Sequence, residues 1–259
     1  MKRHARLNAL LDAMAATGQV DVDEIAGQLN VSASTIRRDL NHLTEQQLVT
    51  RTRGGAVAAA VSYDLPMRYK APKQQAAKVR IGQAAAKLVG SNDIVALNGG
   101  TTTTEVARTL AGRPATAGGG GGITIVTNAI NIAGELTLRR HLRLVMTGGA
   151  VKPQSFELIG PFAMETLNQL DLDVTIIGAE AIDPAVGVKA MDTDEAQISR
   201  LMTARARRVV VAADSTKLHA RGFARVCTWD RVSVLVTDTE AGSADLNQIR
   251  EAGVDVITV

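Results

Sequence analysis

Arg37 and Arg38 stand side by side in the run Val31-Ser-Ala-Ser-Thr-Ile-Arg-Arg-Asp-Leu40, and Arg51 and Arg53 follow in Arg51-Thr-Arg-Gly-Gly55. Two guanidinium groups on the outer face of a short helix, with two more on a turn just beyond it, can enter a DNA groove and grip the flanking phosphates. A second run, Asn98-Gly-Gly-Thr-Thr-Thr-Thr-Glu105, offers different chemistry. Glycines placed between a strand and a helix let backbone N–H groups approach an anion at the helix N-terminus, and threonine hydroxyls add donors. The run lacks the Gly-Lys-Ser/Thr ending of a nucleotide P-loop, so a sugar monophosphate suits it better than ATP.

The elements that must position the arginines can be read from residues 1–57. Leu7, Leu10, Leu11 and Met14 fall at i, i+3, i+4, i+7, which predicts an amphipathic helix over 3–16 that stops at Gly18 and argues against a signal peptide. Val20 and Val22 lead into a second helix over 23–29, with Asp21 or Asp23 near its start and Asn30 as its left-handed stop. Ser32 is a fitting N-cap for a third helix, in which Ile36, Leu40 and Leu43 must face inward. Ser34, Thr35, Arg37, Arg38 and Asn41 then lie on its outer face or edge, and the pair of helices reads as a helix-turn-helix. Residues 48–57 read as a β-hairpin bent at Gly54-Gly55, a wing that carries Arg51 and Arg53. An isolated Arg-Arg pair is usually a solvated face. The capped helix, turn, arginine pair and basic hairpin in this order reverse that odds.

Composition sets the bounds. The chain has 259 residues, 46% hydrophobic and 21% charged, the profile of a globular protein of one or two domains. Aromatics make up only 2%, so Ala, Val, Leu and Ile must fill the cores. The net charge of +3 is too small to announce nucleic acid, but Arg37, Arg38, Arg51 and Arg53 are offset locally by Asp39 and Glu45 alone. The single Cys227 excludes an internal disulfide and a cysteine-built metal site, which fits a cytoplasmic location; no apolar run is long enough to span a membrane, and no metal or cofactor is called for.

Residues 58–74, with Pro66 and Pro72, read as a linker to a second domain over 75–259. There, strand-like runs at 93–97, 123–126, 142–146, 174–177, 209–212, 232–236 and 254–259 are interleaved with helical stretches at 75–89, 102–111, 129–138, 160–169, 193–206 and 244–252. This predicts an α/β domain with a mostly parallel sheet, joined to an N-terminal winged helix-turn-helix. Polar and small residues collect at the carboxyl ends of the strands, where such sheets bind ligands. Lys217 is the first candidate cation for a phosphate there and Lys78 the second. The Gly118–Gly122 run precedes a strand and reads as a loop, not a dinucleotide fingerprint.

Val31-Ser-x-Ser-Thr-Ile-Arg-Arg-Asp-Leu40, followed by Leu48-x-x-Arg51-x-x-Gly54-Gly-Ala56, closely resembles the signature of the DeoR family of bacterial transcriptional regulators, and the likeness extends over nearly the whole chain. It implies an effector domain similar to ribose-5-phosphate isomerase, in which Asn98, Gly99, Gly100, Thr101, Thr102, Lys217 and Lys78 hold a phosphate. Asn128, Gly149, Glu180, Asp183 and Glu195 would line the sugar end. Family members commonly carry Asp-Ser-Gly-Ser/Thr-Thr in the loop; Asn98-Gly99-Gly100 keeps backbone donors but loses an acid and a hydroxyl. The isomerases follow a pocket lysine with a glycine cluster, which Lys189-Ala-Met-Asp-Thr lacks. The expectation is therefore a DNA-binding regulator, not an isomerase: a homo-oligomer, dimer or tetramer, that represses carbohydrate genes on double-stranded operator DNA and responds to a phosphorylated sugar, the resemblance implying that the ligand relieves repression.

Overall fold

The computed structural model describes residues 3–45, 49–58, 74–113 and 122–259. Leu48, residues 59–73 of the expected linker and Gly118–Gly121 lie outside them. The chain divides into two compact units, Met1–Leu65 and Pro66–Val259.

In the first unit the order is α1 (Arg3–Thr17), β1 (Gln19–Asp21), α2 (Val22–Leu29), α3 (Ala33–Glu45), β2 (Val49–Arg51) and β3 (Gly55–Ala58). The apolar spacing of α1 buries Leu7, Leu10, Leu11 and Met14. Asp21 caps α2, its Oδ1 accepting the N–H groups of Asp23 at 2.8 Å and Glu24 at 3.1 Å. Asn30 ends α2 at φ 51°, the left-handed conformation that asparagine tolerates. Ser32 Oγ accepts the Thr35 N–H at 3.3 Å, and Ile36, Leu40 and Leu43 of α3 are fully buried.

Two features depart from the sequence reading. Gln19–Asp21 is more than a lead into a helix: it forms a strand that pairs with β3, giving an antiparallel sheet in the order β1-β3-β2. Three residues are too few to show a period, so this strand exists only through its partner. Asp39 does not offset the arginine face either. It is 1% exposed and turned to α1, where Arg6 bonds its Oδ2 and Arg3 lies 3.7 Å from its Oδ1.

The second unit holds a seven-stranded parallel sheet. Its elements are α4 (Gln75–Ala86), β4 (Ile94–Leu97), α5 (Thr101–Ala111), β5 (Thr124–Thr127), α6 (Ile130–Leu136), β6 (Arg143–Met146), β7 (Ala150–Lys152), β8 (Glu157–Ile159), α7 (Pro161–Asn168) and β9 (Leu172–Ile177). There follow β10 (Ala181–Asp183), β11 (Gly187–Ala190), α8 (Thr193–Arg205), β12 (Ala206–Ala212), β13 (Ala224–Thr228), β14 (Val234–Thr237), α9 (Ser243–Glu251) and β15 (Asp255–Thr258). The strand order β15-β14-β12-β9-β4-β5-β6 reverses direction between β4 and β9. Alternate residues feed opposite cores. Val95 and Leu97 pack with Ile81, Leu110 and Ile132 from α4, α5 and α6, whereas Ala96 joins Leu167, Met202 and Ile249 from α7, α8 and α9. All seven expected strands lie in this sheet. The β7–β8 hairpin and the antiparallel β10-β11-β13 sheet were not anticipated.

Gly55 marks a tight approach within the first unit. A Cβ there would lie 2.0 Å from the Val20 carbonyl oxygen, on backbone that cannot swing aside. Gly55→Ala is expected to lower the stability of this unit by about 2 kcal/mol or more. Denaturant unfolding followed by circular dichroism checks it, and an unchanged midpoint would refute the packing argument.

Candidate functional site

The first candidate surface is the outer face of α3 with the wing. Ser34, Arg37, Arg38 and Asn41 are exposed on the arc opposite Ile36 and Leu40, as helical periodicity requires. Ser32 is exposed and Thr35 half-buried, and the Ser32 Oγ lies 2.9 Å from both the Ser34 and Thr35 hydroxyls. These three hydroxyls therefore form one cluster at the helix start. Arg53 stands exposed in the turn between β2 and β3. Arg51, on β2, is half-buried and its Nη1 is enclosed, so it presents less to solvent than Arg53.

The second is a cleft of about 970 Å³, its open mouth included, at the carboxyl edge of the parallel sheet. It sits where the strand order reverses, since the loops after β4 and β9 both line it. Of the residues expected to bind a ligand, Asn98, Gly99, Gly100, Thr101, Thr102, Lys78, Glu180, Glu195 and Lys217 line this cleft.

Backbone geometry divides their roles. Gly100 precedes α5 at φ 140°, a conformation that side chains rarely adopt. The first N–H groups of α5 have no carbonyl one turn earlier to bond, which leaves the helix start suited to an anion. The Thr103 and Thr104 hydroxyls turn back to the Gly100 carbonyl at 3.1 and 2.7 Å and so brace the turn. Asn98 does not offer its amide to the cleft as a free donor. Its Oδ1 accepts the Gly178 N–H at 2.9 Å, and its Nδ2 donates to the Gly178 carbonyl at 3.3 Å and to Ser199 Oγ at 3.1 Å. Lys217 ends a 3-10 turn, Ser215–Lys217, held by Asp214 through the Thr216 N–H at 3.2 Å and by Asp238 through the Ser215 N–H at 2.7 Å.

Asn128, Gly149 and Asp183 lie outside the lining, each with a structural task. Asn128 is fully buried and clamps β8, its Nδ2 donating to the Leu158 carbonyl at 3.2 Å while its main-chain carbonyl accepts the Leu158 N–H at 2.7 Å. Gly149 has φ 122° and no room for a Cβ, which would meet the Ile159 carbonyl oxygen at 2.6 Å. Asp183 pairs with Lys189 at 2.8 Å and accepts the Ala185 N–H at 3.1 Å, fixing the β10–β11 turn. The Lys189 hydrogen bond holds its carboxyl below the usual range.

The sequence reading missed the β7–β8 hairpin, which brings Gln154, Ser155 and Glu157 to the cleft. Glu157 is 3% exposed, and its Oε1 accepts the Gly99 N–H at 2.5 Å. That donor is thus taken, and a bound anion would have to use the N–H groups from Gly100 onward. Burial above all, with the charges of Glu195 and Glu180 behind it, pushes the Glu157 carboxyl up to about 8. Burial also raises Glu195, although Lys152 lies 3.0 Å from its Oε1. Lys152 reaches Asp192 at 2.7 Å as well; burial opposes its charge, but these acids outweigh burial and raise it. Glu180 is tied down by the Met191 N–H at 2.7 Å. The one hint in the sequence was an acid set between Phe156 and Leu158, in a stretch otherwise built for burial.

The raised Glu157 has a consequence for stability. The folded chain keeps its proton between the ordinary value of 4.5 and about 8, whereas the unfolded chain loses it near 4.5. This contribution is complete below 4.5 and fades as pH climbs toward 8. The stability of the native chain minus that of Glu157→Gln should therefore fall across that interval, as denaturant titrations at stepped pH would read. A difference that stays flat or rises would refute the assignment.

Comparison with known proteins places both parts of the chain in one family. Residues 6–61 match the DeoR-like helix-turn-helix domain, and residues 73–239 match the DeoR C terminal sensor domain. A protein of Escherichia coli O157:H7 described as an aga operon transcriptional repressor is 30% identical over 257 residues, covering 98% of this chain and 93% of its own. The glycerol-3-phosphate regulon repressor of Escherichia coli (strain K12) is 28% identical over 238 residues, 92% of each chain. Ribose 5-phosphate isomerase A from Methanocaldococcus jannaschii overlaps 56% of this chain and 55% of its own at TM-score 0.42 and 16% identity, too loosely to carry chemistry across. The sensor-domain match alone spans well over half of the residues, and this chain belongs to the DeoR family of transcriptional regulators.

Proposed function

We propose that this chain represses carbohydrate-metabolism genes by binding a double-stranded operator through α3 and the wing, and that a phosphorylated sugar in the cleft controls that binding. On the DNA side, Arg37, Arg38 and Asn41 read the groove, while Ser32, Ser34, Thr35, Arg51 and Arg53 serve the backbone. In the cleft, the phosphate rests on the N–H groups of Gly100, Thr101 and Thr102 with Lys78 and Lys217 adding charge. The sugar hydroxyls donate to Glu180 and Glu195. Asn98, Asn128, Gly149 and Asp183 shape the frame around them.

The observation that carries this reading is one cleft lined both by a helix start with lysines and by three glutamates. Anion donors and hydroxyl acceptors together suit a molecule with one phosphate and several hydroxyls. The name of the glycerol-3-phosphate relative, a repressor tied to a phosphorylated polyol, supports the same class. Two or more copies acting together in the cytoplasm would offer two recognition helices to paired half-sites. Among the described residues no helix is long and apolar enough to cross a membrane.

One observation favours a second reading, an isomerase-like enzyme: a carboxyl near 8 in such a cleft has the basicity of a general base. Against it, the carboxyl near 8 is that of Glu157, whose Oε1 is engaged by the Gly99 N–H, and Lys189-Ala-Met-Asp-Thr lacks the glycine cluster that follows the pocket lysine of the isomerases.

Two measurements test the proposal. Arg37→Ala or Arg38→Ala should each weaken operator binding by about 1–3 kcal/mol and flatten base preference at one position; unchanged gel shifts for both would dismiss α3 as the reading helix. A phosphorylated sugar should raise the melting temperature and alter operator occupancy, and Lys217→Ala should keep operator binding but lose that response. Conversion of ribose 5-phosphate to ribulose 5-phosphate without DNA would favour the enzyme instead.

A further inference from the structure

Asp39 is the one carboxylate buried in the helix-turn-helix unit among the described residues, and it sits next to Arg38 on α3. Its neighbours on the buried face, Ile36, Leu40 and Leu43, are all at 0% exposure, so an apolar side chain at 39 would complete the stripe at less cost in desolvation. Instead the position carries a charge, and two ion pairs from α1 end on it. Arg6, with a side chain 12% exposed, bonds Oδ2, and Arg3 approaches Oδ1 at 3.7 Å. A buried ion pair adds little net stability over a well-packed apolar pair, but it is directional where apolar contact is not.

We propose that the Arg6–Asp39 pair is a positioning device for DNA reading: it sets the roll of α3 about its own axis, and so the direction in which Arg37, Arg38 and Asn41 leave the protein. This rests on the reading of α3 as the recognition helix. The apolar stripe of α3 defines which side is buried, but apolar contact is non-directional and does not by itself single out one angle of roll. A roll of about 20° moves a side-chain tip roughly 6 Å from the axis by about 2 Å, beyond the tolerance of a hydrogen bond to a base edge. Asp39 lies a quarter to a third of a turn from Arg38, so anchoring its carboxylate to the guanidinium of α1 removes that freedom where it matters. Asp39 touches no DNA in this scheme; it acts through its neighbours.

The test uses the full chain and a labelled duplex that the native chain selects from a randomised pool, with a scrambled duplex of equal length beside it. Arg6→Met combined with Asp39→Met removes one charge of each sign, so overall attraction to DNA is conserved. The expected result is a folded variant, melting at or above the native temperature, whose ratio of affinity for selected over scrambled DNA falls about tenfold or more. Arg6→Lys, which keeps the charge but loses the planar fork, should fall between the two. A role confined to holding the fold together would lower the melting temperature and leave the ratio where it was. An unmoved ratio in the folded double variant overturns the proposal. Should that variant not fold, Arg6→Lys decides: a ratio several-fold below the native one supports the proposal, and a native ratio overturns it. A native chain that selects no duplex overturns this inference together with the reading of α3, whereas selection by the native chain with unmoved variants overturns this inference alone.

Discussion

The amide of Asn98 ties together the loops that flank the crevice where the strand order of the parallel sheet reverses. On one side of β4 the chain continues outward through β5 and β6; on the other it continues through β9, β12, β14 and β15. The connections therefore leave to opposite faces at this point, which opens a crevice between the loops although β4 and β9 themselves stay paired up to Leu97 and Ile176. Asn98 bonds both the N–H and the carbonyl of Gly178 and reaches Ser199 on α8, joining the loops after β4 and β9 to a helix of the opposite layer. The start of α5 follows directly from that junction, whereas Lys217 is set by the turn that Asp214 and Asp238 hold and Glu157 by the β7–β8 hairpin.

Around it the cleft concentrates charge that would be costly elsewhere. Glu157, Glu180 and Glu195 face a common space with Lys152 among them, and burial pushes two of the three carboxyls toward retaining a proton. Such a group of half-matched charges is poor packing material. A sequence that places it beside glycines and a helix start has left room for a polar occupant instead of filling the space with Leu or Val. The β7–β8 hairpin is central to this arrangement, since it supplies Glu157 to the cleft and Lys152 to the acids of α8.

The helix-turn-helix unit separates its charges differently. The arginines of α3 stay in solvent, while the acid beside them is withdrawn into the interior and answered by arginines of α1. The outer face is thereby left more positive than a count of residues 31–56 suggests. Sequence proximity of Arg38 and Asp39 says nothing of this, because neighbours on a helix point about 100° apart.

Much of the architecture was legible in the chain because it is written in local periods. The apolar spacing of α1 and the seven strand-like runs extend over enough residues to identify an element, the cap at Ser32 and the stop at Asn30 mark element ends by residue type, and each lies where it was expected. The glycine and threonine run after β4 was equally plain, since a strand, a turn and a helix start are contiguous in sequence. Long-range pairing decided the rest. Strand β1 depends on β3, the β7–β8 hairpin on the carboxyl end of β5, and the β10-β11-β13 sheet on strands of three to five residues drawn from separate stretches. Glu157 meets Gly99 across 58 positions, and Asn98 meets Gly178 across 80. Side-chain types name what a residue can donate or accept, but whether Asn98 serves a ligand or a neighbouring loop, and whether Asp39 offsets its own helix or anchors another, follows from which distant atoms folding brings within reach.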